Sequence, residues 1–183
     1  EIQCNFVLGS RIMKASAFLV IILCFVSLVA WAQSGRVLIQ DDFRDGLGQW
    51  RTDASQWRPG DGVLAMADAG IPARLEAGDD TWQDYIVEFS ARRTVDLPDD
   101  GHWGLTVRTG EEGGMYLFMR PQGLREAGFG HTEASFGKGL TFEKDRWYRF
   151  QFVIAGGEAQ VSVDGAYQGT VHGIKRLTGG IAL

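Results

Sequence analysis

The sequence predicts an all-β fold, a two-sheet antiparallel jelly-roll sandwich, and three observations predict it. Short apolar runs recur along the chain at sandwich spacing. Several alternate apolar and polar residues with period two, as half-buried strands do. The 25 glycines of the 183 residues fall between these runs and mark turns, while no segment carries a helical period.

The first expected strand is Arg36 to Phe43, followed by Gly62 to Ala67 after the turn-rich Arg58-Pro59-Gly60-Asp61. Ala73 to Ala77 runs into Gly78-Asp79-Asp80. Asp84 to Arg93 alternates cleanly, with Tyr85, Val87, Phe89 and Ala91 on one face. Trp103 to Thr109 places Trp103, Leu105 and Val107 on one side and Thr106 and Arg108 on the other. Met115 to Arg120 follows Gly113-Gly114, and Phe129 to Phe136 holds a weaker strand.

Arg146 to Ala155 carries the clearest alternation. Tyr148, Phe150, Phe152 and Ile154 are expected inside; Trp147, Arg149, Gln151 and Val153 lie on the opposite side. Asp164-Gly165 is a two-residue hairpin turn that needs positive φ, joining Ala159 to Val163 with Tyr167 to Val171. Gly180 to Leu183 reads as one further strand. Trp50, Trp57 and Trp147 are expected in the core.

Met13 to Ala32 reads as an export signal: Lys14, an apolar run over Ala17 to Val29, then Ala30-Trp31-Ala32 as the cleavage site. The mature chain would start at Gln33 and be secreted or periplasmic, with no membrane attachment after cleavage. Residues 1–12 are read as an upstream segment outside the fold, residues 13–32 as the signal peptide and residues 36–183 as one sandwich domain. Both cysteines, Cys4 and Cys24, precede the cleavage site, so the mature domain would hold no disulfide and no thiol nucleophile.

The formal net charge is −5, and the basic groups come only as dipeptides such as Arg92-Arg93 and Lys175-Arg176. Phosphate backbones need concentrated positive charge, which argues against nucleic acid as a partner.

The order of features resembles the concanavalin A-like lectin/glucanase superfamily, and within it the laminin-G-like and 3-keto-disaccharide-hydrolase-like domains of secreted bacterial proteins. Asp41-Asp42-Phe43 precedes Gly48-Gln49-Trp50, and Trp57 precedes Asp61-Gly62-Val63-Leu64. Tyr85-Ile86-Val87-Glu88-Phe89, Trp103-Gly104-Leu105-Thr106-Val107-Arg108, Trp147-Tyr148-Arg149-Phe150 with Val161-Ser162-Val163-Asp164-Gly165, and Gly179-Gly180-Ile181-Ala182-Leu183 carry the rest of the likeness. The resemblance implies a further C-terminal strand beyond Leu183 that pairs near the first strand.

The resemblance also implies a carbohydrate-associated module. The E-x-D-x-E strand of its glycosidases does not occur. Asp84 and Glu88, four apart on one strand, lie about 13 Å apart by strand rise, too far for the roughly 5–9.5 Å of glycosidase carboxylates. His102, His131 and His172 lack metal-ligand spacing. Sugar binding instead needs aromatic faces and planar polar side chains, which the superfamily supplies from its concave sheet. The candidates are Arg108, Tyr116, Arg120, Trp82 and His131, with His102 beside them. Arg108 matches the family's strand-ending arginine and is expected to point away from the core. No cofactor is called for, although some relatives hold a structural calcium where Asp41 and Asp42 stand. Three functions are open at this point: a non-catalytic glycan-binding module, a glycoside hydrolase with an unrecognised site, and a structural or protein-binding envelope domain.

Overall fold

A computed structural model describes residues 2–9, 36–52, 54–68, 73–97, 101–110, 113–128, 131–136 and 140–183. The expected signal peptide lies outside the described residues. Those residues form an all-β sandwich of two antiparallel sheets, with a single 3-10 turn at Ala54–Gln56. No helix among them is long and apolar enough to cross a membrane.

The fifteen strands, in chain order, are β1 (Ile2–Gly9), β2 (Val37–Asp41), β3 (Arg51–Thr52), β4 (Trp57–Gly60), β5 (Val63–Met66), β6 (Leu75–Ala77), β7 (Tyr85–Arg93) and β8 (Trp103–Thr109), followed by β9 (Met115–Arg120), β10 (Gly123–Gly128), β11 (His131–Phe136), β12 (Tyr148–Ala155), β13 (Glu158–Val163), β14 (Ala166–His172) and β15 (Gly180–Ala182). One sheet has eight strands in the order β14-β13-β12-β7-β1-β5-β4, with β2 also paired to β1. The other has seven, in the order β11-β10-β9-β8-β15-β6-β3.

The core is built from the alternation. Tyr85, Val87, Phe89 and Ala91 of β7 and Tyr148, Phe150, Phe152 and Ile154 of β12 are all buried, as expected. Across the pair, Phe89 stacks on Phe150 and Phe152 at 5.2 and 5.9 Å between ring centroids. From the facing sheet, Trp103 meets Phe150 edge-on at 5.3 Å, which locks the two layers in register. Leu105, Val107, Met115, Leu117 and Met119 complete that side. Gly104 is required because β9 passes so close that a Cβ there would sit 2.4 Å from the Leu117 carbonyl oxygen and 2.6 Å from the Phe118 Cα.

Three expectations change. The residues read as upstream of the fold enter the eight-stranded sheet as β1, paired to β7 over its whole length. The signal was present in IQCNFVLG, whose Ile2, Cys4, Phe6 and Leu8 recur with period two; the register sets Cys4, Phe6 and Leu8 opposite Ala91, Phe89 and Val87. Trp57–Gly60 is a strand at the end of the sheet, not a turn, because the bend falls one step later. Asp61 and Gly62 both take positive φ, at 53° and 76°, and Pro59 is tolerated on an edge strand. Trp147 is 37% exposed on the outer side of the sheet, with the Arg92 guanidinium 5.0 Å from its ring; Trp50 and Trp57 are buried as expected. The Asp164-Gly165 hairpin forms with φ of 50° and 79°, as the sequence requires.

Phe150 has no exposed surface and touches aromatic rings from both sheets. Phe150→Ala is expected to cost about 3–5 kcal/mol of unfolding free energy, read from the midpoint of a urea titration. A loss below roughly 1 kcal/mol would contradict this packing.

Candidate functional site

Arg108 does not face solvent. Its side chain is fully buried, and the expectation that it points outward toward Tyr116 or Arg120 is corrected. A β-bulge causes the reversal. Gly180 pairs with Thr109 and Ile181 with Val107, so Arg108 is the extra residue on β8. Its φ of 53° breaks the alternation and turns the side chain into the sandwich.

The two terminal nitrogens of the guanidinium are then taken up by three backbone carbonyls and one carboxylate, while Nε is buried without a partner among the described residues. One terminal nitrogen donates to the carbonyl oxygens of Gly156 and Arg176. The other donates to the Gln83 carbonyl and the Asp84 carboxylate, at 3.3 and 3.2 Å. The Arg108 N–H donates to the Tyr85 hydroxyl at 2.8 Å, and that hydroxyl donates to the Gly180 carbonyl at 3.2 Å. Burial pushes the Tyr85 hydroxyl well above the ordinary tyrosine range and keeps it protonated.

The bulge shapes the end of β8 into the rim of a cleft of about 320 Å³ on the outer face of the seven-stranded sheet. Arg51, Arg74 and Glu76 form one wall, Asp79 and Asp80 the end, and Thr109, Gly110 and Gly180 the opposite side. Arg74 Nε donates to Glu76, and Arg51 donates to the Gly78 carbonyl at 2.9 Å. Arg176 reaches in from the loop before β15 and pairs with Asp80 at 2.7 Å. Its guanidinium lies over Gly110, where a Cβ would fall 2.2 Å from the guanidinium carbon. The Thr81 hydroxyl and N–H hold the Asp79 carboxyl below the usual carboxylate range.

From this cleft a row of residues in register crosses the outer face: Arg51, Glu76, Ala182, Thr106 and Tyr116 on β3, β6, β15, β8 and β9. The middle of the row is small. Ala182 and Thr106 are buried there, and Glu76 and Tyr116 stand three strand spacings apart, roughly 14 Å, with Arg74 reaching close enough to act on the Tyr116 hydroxyl. Tyr116 stacks on Phe118 at 5.0 Å, and His102 packs against both at 5.7 and 5.1 Å. Arg120 sets its guanidinium carbon 5.5 Å from the Phe118 ring. Burial pushes the Tyr116 hydroxyl up to about 12, slightly offset by the positive charge of Arg74.

The structure thus brings together Tyr116, Arg120 and His102 of the predicted residues. Trp82 sits apart from them, edge-on to Tyr85 at 5.9 Å and so close over Gly78 that a Cβ there would lie 2.8 Å from its ring. It props the turn at the end of the cleft. His131 begins strand β11, and its side chain lies outside the described residues. Arg51, Arg74, Glu76, Asp79 and Asp80 were missed. The available signal was Arg74-x-Glu76, a period-two pair of opposite charges beside the Gly78-Asp79-Asp80 turn.

The other weighed residues have structural partners. Glu88 accepts from Gln151 Nε2 at 2.6 Å and pairs with Arg149 at 3.5 Å. The Asp41 carboxylate accepts from the Phe43 N–H and from Trp50 Nε1, at 2.7 and 2.9 Å, while Asp42 pairs with Arg44 at 3.0 Å. Among the described residues no group of three or more His, Cys, Asp or Glu is placed to hold a metal.

No family model matches the chain, and no curated protein does. Among solved structures, the sandwich is similar to the carbohydrate-binding module CBM66 from Bacillus subtilis, with a TM-score of 0.55 and 14% identity over 74% of this chain and 87% of that one. At that identity the likeness is one of fold.

Arg108→Ala removes every side-chain donor from a buried knot of carbonyls. It is expected to cost about 3–5 kcal/mol, measured by chemical denaturation, with Arg108→Lys recovering only part because an ammonium cannot span the fork. A stability change within roughly 0.5 kcal/mol would return Arg108 to the surface.

Proposed function

We propose that this protein is an exported glycan-binding module of the concanavalin A-like type, without catalysis of its own, and that the trough on the seven-stranded sheet is where the sugar lies. The observation that carries this reading is a charge-balanced cleft wall that shares one row of the sheet with Tyr116 and the exposed His102 beside it. Three guanidinium groups, from Arg51, Arg74 and Arg176, face three carboxylates, from Glu76, Asp79 and Asp80. Such a wall has no net charge to attract a phosphate, yet presents planar donors and acceptors suited to the hydroxyls of a neutral sugar. Tyr116, stacked on the buried Phe118, and the exposed His102 offer the apolar surface against which a sugar ring face packs. The fold shared with CBM66 is consistent with this use.

A hydrolytic reading is disfavoured by the surroundings of the carboxylates. A glycosidase keeps one carboxyl protonated in an apolar setting to act as acid. Here Glu76 and Asp80 face guanidinium groups, and Asp79 is held ionised by Thr81. A glycan array screened with the intact protein is expected to give binding without release of reducing ends. Arg74→Ala and Tyr116→Ala should each weaken it by about 1–3 kcal/mol, the cost of leaving polar partners unpaired. The melting temperature should barely move in Arg74→Ala, whose side chain is half exposed, and should fall in Tyr116→Ala, which removes a part-buried ring stacked on Phe118. Because the Tyr116 hydroxyl titrates only near 12, its contribution should be flat from pH 5 to 9. Equal affinity in both variants would remove the trough from consideration.

Export through the 13–32 signal has a structural consequence. Cleavage after Ala32 would sever β1 from the domain and leave β7 facing β2 and β5 across a strand-wide gap. N-terminal sequencing of the exported protein is expected to begin at Gln33. Recovery of exported protein that still carries Ile2–Gly9 would overturn the signal-peptide reading and keep β1 in the sheet.

A further inference from the structure

We propose a second glycan-binding face on the outer side of the eight-stranded sheet, making the domain bivalent. It goes beyond the trough, although it rests on the same reading of the protein as a glycan binder. The two faces lie on opposite surfaces of a sandwich whose sheets pack about 10 Å apart, so no single sugar can touch both.

The alternation that buries Tyr148, Phe150 and Phe152 sends Trp147, Arg149 and Gln151 outward. The register then carries the row on: Glu88, Gln151, Ser162 and Tyr167 stand side by side on β7, β12, β13 and β14. Between them opens a depression of about 530 Å³ lined by Arg149, Gln151, Ser162, Asp164 and Gly165. Its polar groups are pre-organised. Gln151 donates to Glu88 at 2.6 Å, Arg149 pairs with Glu88 at 3.5 Å, and the Arg149 N–H donates to Asp164 at 2.8 Å.

Two aromatic residues flank this polar bed, and both are exposed: Tyr167 at 64% and Trp147 at 37%. Each has its polar or electronic demands met locally, Tyr167 through Thr170 Oγ1 at 2.7 Å and Trp147 through Arg92. Exposing two large rings costs solvation free energy that smaller side chains would avoid. By strand geometry Trp147 lies about 13 Å from Gln151 along β12, and Tyr167 about 10 Å from Gln151 across the sheet. That span suits a short oligosaccharide bridging the two rings, with its hydroxyls on the amide, guanidinium and carboxylate between them. Arg149 and Arg146 pair with the Glu88 and Asp164 carboxylates around the Gln151 amide, and a bed of balanced charge favours neither a nucleic acid nor an acidic polymer.

The test uses the full chain and the same glycan array, with three variants: Arg74→Ala/Tyr116→Ala in the trough, Gln151→Ala/Tyr167→Ala on the second face, and the four changes together. Circular dichroism confirms that each is folded. The trough variant is expected to retain weakened binding to part of the array, and the fourfold variant to lose it. The second-face variant should lose apparent affinity for surface-immobilised polysaccharide by about 10-fold or more, the avidity of a second contact. Trough-variant binding that falls to the fourfold level, or second-face binding equal to that of the unaltered protein, would overturn the second face and leave the trough standing. Absence of binding by the unaltered protein would overturn both.

Discussion

The two sheets are tied at one polar node, and much of the molecule depends on it. Arg108 and Tyr85 stand on facing strands in the interior, where an unpaired donor or acceptor is costly. The Tyr85 hydroxyl accepts from the Arg108 N–H and donates to Gly180, so one side chain of β7 satisfies both β8 and β15. The Arg108 guanidinium spans back to the Gln83-Asp84 entry to β7, the Gly156 turn after β12 and the Arg176 loop before β15. Four segments far apart in sequence are thereby held at one end of the sandwich by a single planar fork.

The cleft is a consequence of the same node. The bulge that turns Arg108 inward ends the regular pairing of β8 and leaves Thr109 and Gly110 as a rim. Holding the Arg176 carbonyl fixes the loop that delivers the Arg176 guanidinium to Asp80 over Gly110. Gly179 follows that loop with φ of 136°, and a Cβ there would lie 2.5 Å from the Thr109 carbonyl oxygen. Only glycine allows β15 to approach β8 closely enough to set Gly180 beside Thr109 at the cleft. An arginine that touches no ligand thus arranges the residues proposed to touch one.

The outer faces owe their character to the core by a simpler route. Where strands alternate without interruption, an aromatic inner face leaves its intervening residues outside. Tyr116 lies on the outer side because Met115, Leu117 and Met119 face in, with Phe118 beside it but buried, and Trp147, Arg149 and Gln151 face out because Tyr148 and Phe150 face in. The small residues Thr106 and Ala182 lie buried between Glu76 and Tyr116 in the row across the seven-stranded sheet.

Period-two alternation by itself determined the all-β class, most of the strands, the inward set on β7 and β12, and the Asp164-Gly165 turn, because each depends on neighbours within a few residues. Tertiary structure alone decided the rest. Whether Arg108 faced in or out turned on one extra residue at a bulge, visible only in the pairing of β8 with β15, some seventy residues away. The Arg51, Glu76 and Tyr116 row exists because β3, β6, β15, β8 and β9 become neighbours in an order that chain order does not contain. The entry of Ile2–Gly9 into the sheet likewise depends on β7 offering an open edge of matching length. Alternation assigns a residue to a side of its own strand; which strands adjoin, and where a bulge inverts the sides, is settled by packing between distant segments.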